Sequence, residues 1–173
     1  NEMLYSIENQ YKENFHSRAK AFNEFAKAVD RMIAGEYLDT ELEGKEISKE
    51  MLEYIHVNKT GALLKLCVRM GAILANASEK DLEKLTIYAE KIGLAFQIKD
   101  DILDVTSSTE VLGKNAKSDI ENDKTNYISL FGIEKCINLC ESLTNECLSL
   151  LESINGDTKA LSELTNLLVK RKY

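Results

Sequence analysis

Three aspartates in one short segment are the residues of this sequence best suited to chemistry. Asp100, Asp101 and Asp104 close a segment that begins at Phe96 and whose apolar residues recur at helical spacing. On a helix, Asp100 and Asp104 lie one turn apart on the same face, and Asp101 pairs with Asp104 at i,i+3. Like charges at this spacing repel, and the dipole at a helix C-terminus disfavours them further. The spacing therefore predicts a bound cation, and Mg²⁺, with Mn²⁺ as the alternative, suits carboxylates that leave positions for phosphate.

The same pattern also occurs at a solvated acidic helix end, which needs no ligand. Two features favour the metal site. Apolar residues surround the carboxylates, namely Ile92, Ala95, Phe96, Ile102 and Leu103. Lys114 and Lys124 follow in a segment that also carries Gly113 and Asp119. Because a solvated face would not ordinarily need such neighbours, the sequence favours an anion held through metal ions and lysines.

Helices are the elements that must position these residues. The chain has 173 residues, of which 44% are apolar, with no proline and 8 glycines. So few helix breakers favour long helices joined by short turns, and the length suits a single domain. No strand-like alternation stands out, so an all-α fold is predicted.

Apolar periodicity and capping signals place the predicted helices along the chain. They are expected at 3–13, from 15 to about 44, and at 49–56, 59–77, 78–104, 133–154 and 158–171. Segment 59–77 is apolar around almost its whole circumference, which predicts a central, buried helix. Residues 106–118 are polar and are predicted to form a loop.

Charge and hydropathy exclude several classes of partner. The net charge of −7 argues against a nucleic-acid surface, which needs clustered Lys and Arg. No apolar run is long enough to span a membrane, and the first residues lack a signal-peptide pattern. The four cysteines, which lie in apolar positions, are expected to be buried free thiols in a reducing compartment. Together these observations predict a cytoplasmic protein.

Motifs in the second half of the chain resemble those of a known family. Gly93-x-x-Phe96-Gln97-x-x-Asp100-Asp101-x-x-Asp104, followed by Gly113-Lys114, Asp119 and Lys124, resembles the second aspartate-rich region of the trans-isoprenyl (polyprenyl) diphosphate synthases.

Two upstream segments resemble further motifs of the same family, in the same order. Lys59-Thr60-Gly61, preceded by His56, is similar to its lysine–threonine motif. Gly35-Glu36-x-x-Asp39 is similar to its Gly-Gln-x-x-Asp element, with Glu36 in place of the usual glutamine. The overall pattern is most like that of bacterial farnesyl diphosphate synthases, or geranyltranstransferases.

The resemblance implies an isoprenoid-synthase-type helical bundle that works as a prenyltransferase. Its substrates would be isopentenyl diphosphate and an allylic diphosphate, either dimethylallyl or geranyl diphosphate. Loss of the Mg²⁺-bound allylic diphosphate gives a carbocation, which the double bond of isopentenyl diphosphate attacks before a proton is lost. A short-chain prenyl diphosphate, expected to be farnesyl diphosphate, is the product. The resemblance also implies that the protein is a homodimer.

The resemblance also implies a role for each matching residue. The metal ligands would be Asp100 directly, and Asp101 and Asp104 through water or in support. The diphosphate would be held by Lys59, Lys114 and Lys124. The catalytic set would comprise Lys59, Thr60 and Gln97, the last two near the developing carbocation. Phe96 would line the substrate pocket.

One expected feature is not found in the printed sequence. The family's first aspartate-rich motif and its arginine pair are missing, since the only arginines are Arg18, Arg31, Arg69 and Arg171. Residues 1–173 are therefore expected to be the C-terminal part of one polyprenyl synthetase domain, with negligible activity alone. The alternative is a non-catalytic partner subunit of a prenyl synthase. A terpene cyclase is disfavoured, because segment 119–123 lacks the arrangement of its second metal triad.

Overall fold

A computed structural model describes the backbone of residues 2–112 and 125–171, and the side chains of residues 15–106 and 125–171. All regular elements of these residues are helices, so the predicted all-α fold is confirmed. They are α1 (Glu2–Glu41), α2 (Lys49–His56), α3 (Ala62–Leu74), α4 (Glu79–Leu112), α5 (Tyr127–Phe131), α6 (Ile133–Glu152) and α7 (Lys159–Lys170). Among them is no helix whose length and hydropathy would let it cross a bilayer.

Helix α4 is the centre of the fold. It contacts α3, α5, α6 and α7, while α1 packs on α3. Its buried apolar side chains contribute to both hydrophobic clusters of the described residues, and they include Leu82, Tyr88, Ile92, Ala95, Ile98 and Ile102.

The prediction of a central helix at 59–77 is wrong, because neighbours cover only one face of α3. Leu63 and Leu74, on its other face, are 37% and 50% exposed.

Helices α2 and α3 form one continuous helical segment. A π-helical turn, Val57–Gly61, joins them, and the residues at both junctions keep right-handed helical backbone angles. Ser48 begins the segment, since its side chain accepts a hydrogen bond from the backbone N–H of Met51 at 3.3 Å. The predicted bounds of α2 are confirmed, but the predicted separate helix start at Lys59 is wrong.

The second half of the chain differs from prediction in two places. Helix α4 continues to Leu112, although a loop was predicted from 106. The hydroxyl of Thr106 donates to the carbonyl of Ile102 at 2.9 Å, so this polar residue is accommodated within the helix. Helix α5 was not predicted, because five residues are too few to show periodicity; Asn126 and Ser129 form its capping box. Helices α6 and α7 end within two residues of prediction.

Helix α1 packs through its small residues. Ala21 and Ala28 are buried, whereas Phe15 and Phe22 are 69% and 72% exposed. The predicted apolar face of this helix is therefore only partly covered by the described residues.

The four cysteines differ in burial. Cys136, Cys140 and Cys147 are buried as predicted, and Cys67 is exposed, against prediction.

Candidate active site

Lys59 lies on the π-turn and faces two carboxylates of α1. Its Nζ is 2.6 Å from Oδ2 of Asp39 and 2.9 Å from Oε2 of Glu36. Burial by itself lowers the pKa of Lys59, but the hydrogen bonds to Asp39 and Glu36 together outweigh it, so the pKa is raised above its ordinary value. Lys59 is therefore held as a cation at neutral pH.

Gly35 allows α1 to come this close to the π-turn. A Cβ at this position would lie 2.3 Å from the backbone nitrogen of Lys59 and 2.8 Å from the carbonyl carbon of Asn58. Only glycine fits such an approach of two backbones. The turn places Lys59 inside a continuous helical segment rather than in a first helical turn. A π-turn within an α-helix is frequent at functional sites.

A chain of polar contacts links the π-turn to α4. Thr60 Oγ1 donates to Gln97 Oε1 at 3.5 Å, and Gln97 Nε2 donates to Asp101 Oδ1 at 3.4 Å. The other carboxylate oxygen of Asp101, Oδ2, accepts from the backbone N–H of Tyr127 at 2.9 Å. The structure therefore brings together three of the predicted site residues, Thr60, Gln97 and Asp101.

Asp101 is the most buried of the three aspartates, with 6% of its surface exposed. Burial raises its pKa to about 6, although the hydrogen bonds from Tyr127 and Gln97 oppose the shift. Both carboxylate oxygens have partners within the protein, and one of them holds the first residue of α5. In this arrangement Asp101 supports the site from inside and does not present a free oxygen to it.

Asp100 and Asp104 are one turn apart on α4, and they are more accessible. Asp104 is exposed, and Asp100 is partly buried. Burial raises the pKa of Asp100; the adjacent Arg171 opposes the shift, and the charge of Asp104 adds to it. In residues 15–106 and 125–171, no three acidic, histidine or cysteine side chains form a preformed metal cluster. Asp100 and Asp104 nevertheless fit Mg²⁺, which binds through one or two carboxylates and completes its shell with water and phosphate.

Arg171 also lies at the site, although no sequence motif predicts it there. One of its terminal nitrogens, Nη2, donates to the carboxylate of Asp100 and, at 3.2 Å, to the backbone carbonyl of Phe96. The guanidinium carbon also lies 4.0 Å from the centre of the Phe96 ring, a cation–π distance. Because Arg171 is 71 residues from Asp100, only the fold could reveal this pair. Lys114 and Lys124, predicted to bind diphosphate, lie outside the described residues.

A comparison with protein-family models identifies the family of this chain. The polyprenyl synthetase family model matches residues 2–166, which include every site residue described above except Arg171. The chain belongs to the polyprenyl synthetase family. The family resemblance inferred from the lysine–threonine and aspartate motifs is thereby confirmed.

Individual relatives agree with this assignment. The chain is 38% identical over 158 residues to farnesyl diphosphate synthase of Bacillus subtilis (strain 168), covering 90% of this chain and 53% of that protein. It is 43% identical over 131 residues to geranylgeranyl diphosphate synthase of Cyanophora paradoxa, covering 75% and 43% respectively. The chain thus spans about half the length of the curated relatives it matches.

Solved structures share the architecture. A putative farnesyl-diphosphate synthase from Marinomonas sp. MED121 aligns with a TM-score of 0.76 and 33% identity, over 90% of this polyprenyl synthetase chain and 53% of the other. The predicted isoprenoid-synthase-type helical bundle is therefore confirmed.

Proposed function

We propose that this chain forms the part of a prenyltransferase active site that contains the lysine–threonine motif and the second aspartate-rich motif. The reaction condenses dimethylallyl or geranyl diphosphate with isopentenyl diphosphate to give a short-chain prenyl diphosphate, namely farnesyl diphosphate. The observation that carries the proposal is the polar chain from the π-turn through Thr60 and Gln97 to Asp101, within a family whose relatives are named prenyl diphosphate synthases.

The diphosphate group is the part of the substrate that these residues recognise. Lys59, kept cationic by Asp39 and Glu36, binds diphosphate oxygens and stabilises the negative charge that grows on the leaving group. Lys114 and Lys124 join it in the proposal. Divalent cations, Mg²⁺ or Mn²⁺, supply further positive charge for the leaving diphosphate when they are bound. Asp100 and Asp104 are the residues that would hold them, with Asp101 in support.

The developing allylic cation needs oxygen atoms that carry partial negative charge. Thr60 Oγ1 and Gln97 Oε1, which lie 3.5 Å apart, supply such oxygens beside the aspartates. Phe96, whose ring lies beside Arg171, joins the proposal as the residue that contacts the hydrocarbon part of the substrate. The side chains of this chain thus bind the leaving group and stabilise both charges that form when the bond breaks.

The proposal is tested by removing the metal ligand. Asp100→Ala should lower Mg²⁺-dependent prenyl transfer by about 10²-fold or more in the protein that performs it, since one charged contact to the transition state is lost. Glu152→Ala, which removes an exposed carboxylate at the end of α6, should leave the rate unchanged. The comparison uses radiolabelled isopentenyl diphosphate and checks helicity by circular dichroism. Equal rates for Asp100→Ala and the wild type would reject the metal role.

A second function follows from one observation: residues 1–173 hold no second Asp-Asp-x-x-Asp and no adjacent arginine pair. The chain would then act as a non-catalytic partner subunit, and residues 1–173 alone would show negligible transfer. Turnover by these 173 residues alone would contradict both the subunit alternative and the proposed inactivity. A native mass equal to that of the 173-residue chain would favour the subunit, whereas a larger mass would favour residues 1–173 as one part of a synthase domain.

Assembly and location are further parts of the proposal. A homodimer is consistent with the exposed aromatic side chains of α1, Phe15, Phe22 and Phe25. Light scattering would measure its mass, and replacing Phe22 with Ser should shift the equilibrium towards the monomer. A cytoplasmic location stays a prediction, and fluorescence microscopy of the tagged protein would check it.

A further inference from the structure

We propose that Arg171 and a divalent cation compete for Asp100, so that Arg171 must leave this carboxylate when the metal binds. The inference rests on the proposed function, because it takes Asp100 as the metal ligand. Arg171 is then the internal counterion of the metal-free protein. It sets how readily the aspartate site accepts its cation.

Three contacts hold the Arg171 guanidinium at Asp100. It donates to the Asp100 carboxylate and to the carbonyl of Phe96 at 3.2 Å, and it lies over the Phe96 ring at 4.0 Å. The side chains of Arg171 and Asp100 are only 23% and 34% exposed. Since water screens such a pair less than a surface pair, Arg171 occupies this carboxylate in the metal-free state.

The present position of the Arg171 side chain also carries a free-energy cost. Its Nε atom is buried and has no hydrogen-bond partner among the described residues. A buried N–H without an acceptor loses its hydration and regains nothing for it. Moving the guanidinium away from Asp100 would hydrate this group again, so release of Arg171 relieves a cost that its present position carries.

Simultaneous binding is disfavoured by charge. Arg171 uses Oδ1 of Asp100, and Mg²⁺ bound to this carboxylate at about 2.0–2.1 Å would take either the same oxygen or Oδ2. A divalent cation at either oxygen would stand within a few ångströms of the guanidinium, where like charges repel strongly in a half-buried setting. Asp104, the other carboxylate on this face of α4, would attract the metal without engaging Arg171. The metal and Arg171 therefore exclude each other at Asp100.

The test measures metal affinity directly, without turnover. Mn²⁺ binding to the 173-residue chain is titrated by electron paramagnetic resonance of the free ion at pH 7.5. Arg171→Gln should bind Mn²⁺ at least about three-fold more tightly than the wild type, since the competing ion pair is gone. Lys170→Gln is the matched control, because it removes the same charge from the exposed neighbouring residue, and its affinity should stay within that margin of the wild type.

A second readout follows Arg171 itself in the wild-type chain. The Nε–H resonance of Arg171, assigned by through-bond correlations within the wild-type chain itself, should shift as Mg²⁺ is added. An unchanged resonance at saturating Mg²⁺ overturns the proposal even if Arg171→Gln fails to fold. Equal Mn²⁺ affinities of Arg171→Gln and the wild type overturn it as well, and so does the absence of Mn²⁺ binding in both.

Asp100→Asn separates this inference from the proposed function. If Asp100→Asn loses Mn²⁺ binding while Arg171→Gln binds as the wild type does, only the competition is wrong. If Asp100→Asn binds Mn²⁺ as tightly as the wild type, the metal role of Asp100 is wrong, and both proposals fail at that point. Tighter binding in Arg171→Gln together with weaker binding in Asp100→Asn supports both.

Discussion

Lys59 and Asp100, the proposed ligands of diphosphate and metal, show two opposite ways in which this fold holds a charged side chain. Lys59 stands between two carboxylates of α1, and they keep its pKa above the ordinary value. Asp100 has one cation beside it, Arg171, and its pKa is still raised by burial. The lysine is therefore held charged by its acidic neighbours, whereas in our proposal the partner of the aspartate is exchanged for a metal ion. The π-turn side keeps its lysine charged before any ligand binds, and the aspartate end of α4 is proposed to reorganise to take a cation.

Gly35→Ala is the substitution expected to disturb the contact between α1 and the π-turn most. The added Cβ would overlap the backbone of the π-turn, at 2.3 Å from the nitrogen of Lys59. Backbone atoms cannot move aside as a flexible side chain can, so α1 must shift. We expect a loss of about 3 kcal/mol in the free energy of unfolding, measured by urea denaturation. The ion pairs of Lys59 should also lengthen, which a crystal structure of the variant would show.

Gly71→Ala is the matched control for this experiment. Gly71 lies within α3, and a Cβ there would meet nothing within 4 Å. Because alanine favours a helix over glycine, this variant should gain up to about 1 kcal/mol. Similar stability changes in the two variants would show that the close approach at Gly35 is not what fixes Lys59.

Local patterns predicted much of the fold. Helical periodicity and the Ser48 cap fixed the bounds of α2, and the i,i+4 spacing placed Asp100 and Asp104 on one face of α4. The site itself depends on contacts between distant segments, and these no local pattern reports. The close approach of α1 to the π-turn depends on Gly35, which lies 24 residues before Lys59 in the chain.

Contacts between distant segments also decide which side chains are buried and where Arg171 lies, and local sequence patterns predict neither. A helix that is apolar all round is buried only where neighbours cover it, and α3 has neighbours on one face. Phe96 was expected to line a pocket, but its ring also carries the guanidinium of a residue 75 positions away. Lys114 and Lys124 stay predictions, since they lie outside the described residues.

Asp101→Asn tests whether the ionised carboxylate of Asp101 destabilises the folded chain. The folded-state pKa of Asp101 is about 6, against 3.8 as its ordinary value. The folded chain therefore binds more protons than the unfolded chain between these values, and its stability falls as pH rises through this window. Asparagine cannot titrate. On going from pH 7.5 to 4, the wild type should gain on the order of 2 kcal/mol relative to Asp101→Asn.

Urea unfolding at a series of pH values, with EDTA present, measures this difference. Asp30→Asn makes the same charge change at an exposed position of α1, so its curve should run parallel to that of the wild type. Parallel curves for Asp101→Asn and the wild type would mean that the buried carboxylate is already fully stabilised by Tyr127 and Gln97. The contrast between Lys59 on the π-turn and the aspartates at the end of α4 would then disappear.

The two carboxylates around Lys59 should contribute unequally, and this is the smallest of the expected effects. The Asp39 side chain is 18% exposed and lies 2.6 Å from Nζ, whereas Glu36 is 58% exposed. Because solvent screens the more exposed pair, Asp39→Asn should cost about 1 kcal/mol of unfolding free energy and Glu36→Gln less than about 0.5 kcal/mol. Glu41→Gln, at the exposed end of the same helix, serves as the control for charge alone. Equal costs for Asp39→Asn and Glu36→Gln would mean that burial does not rank these pairs, and that Lys59 depends on the total negative charge of α1 rather than on one short contact.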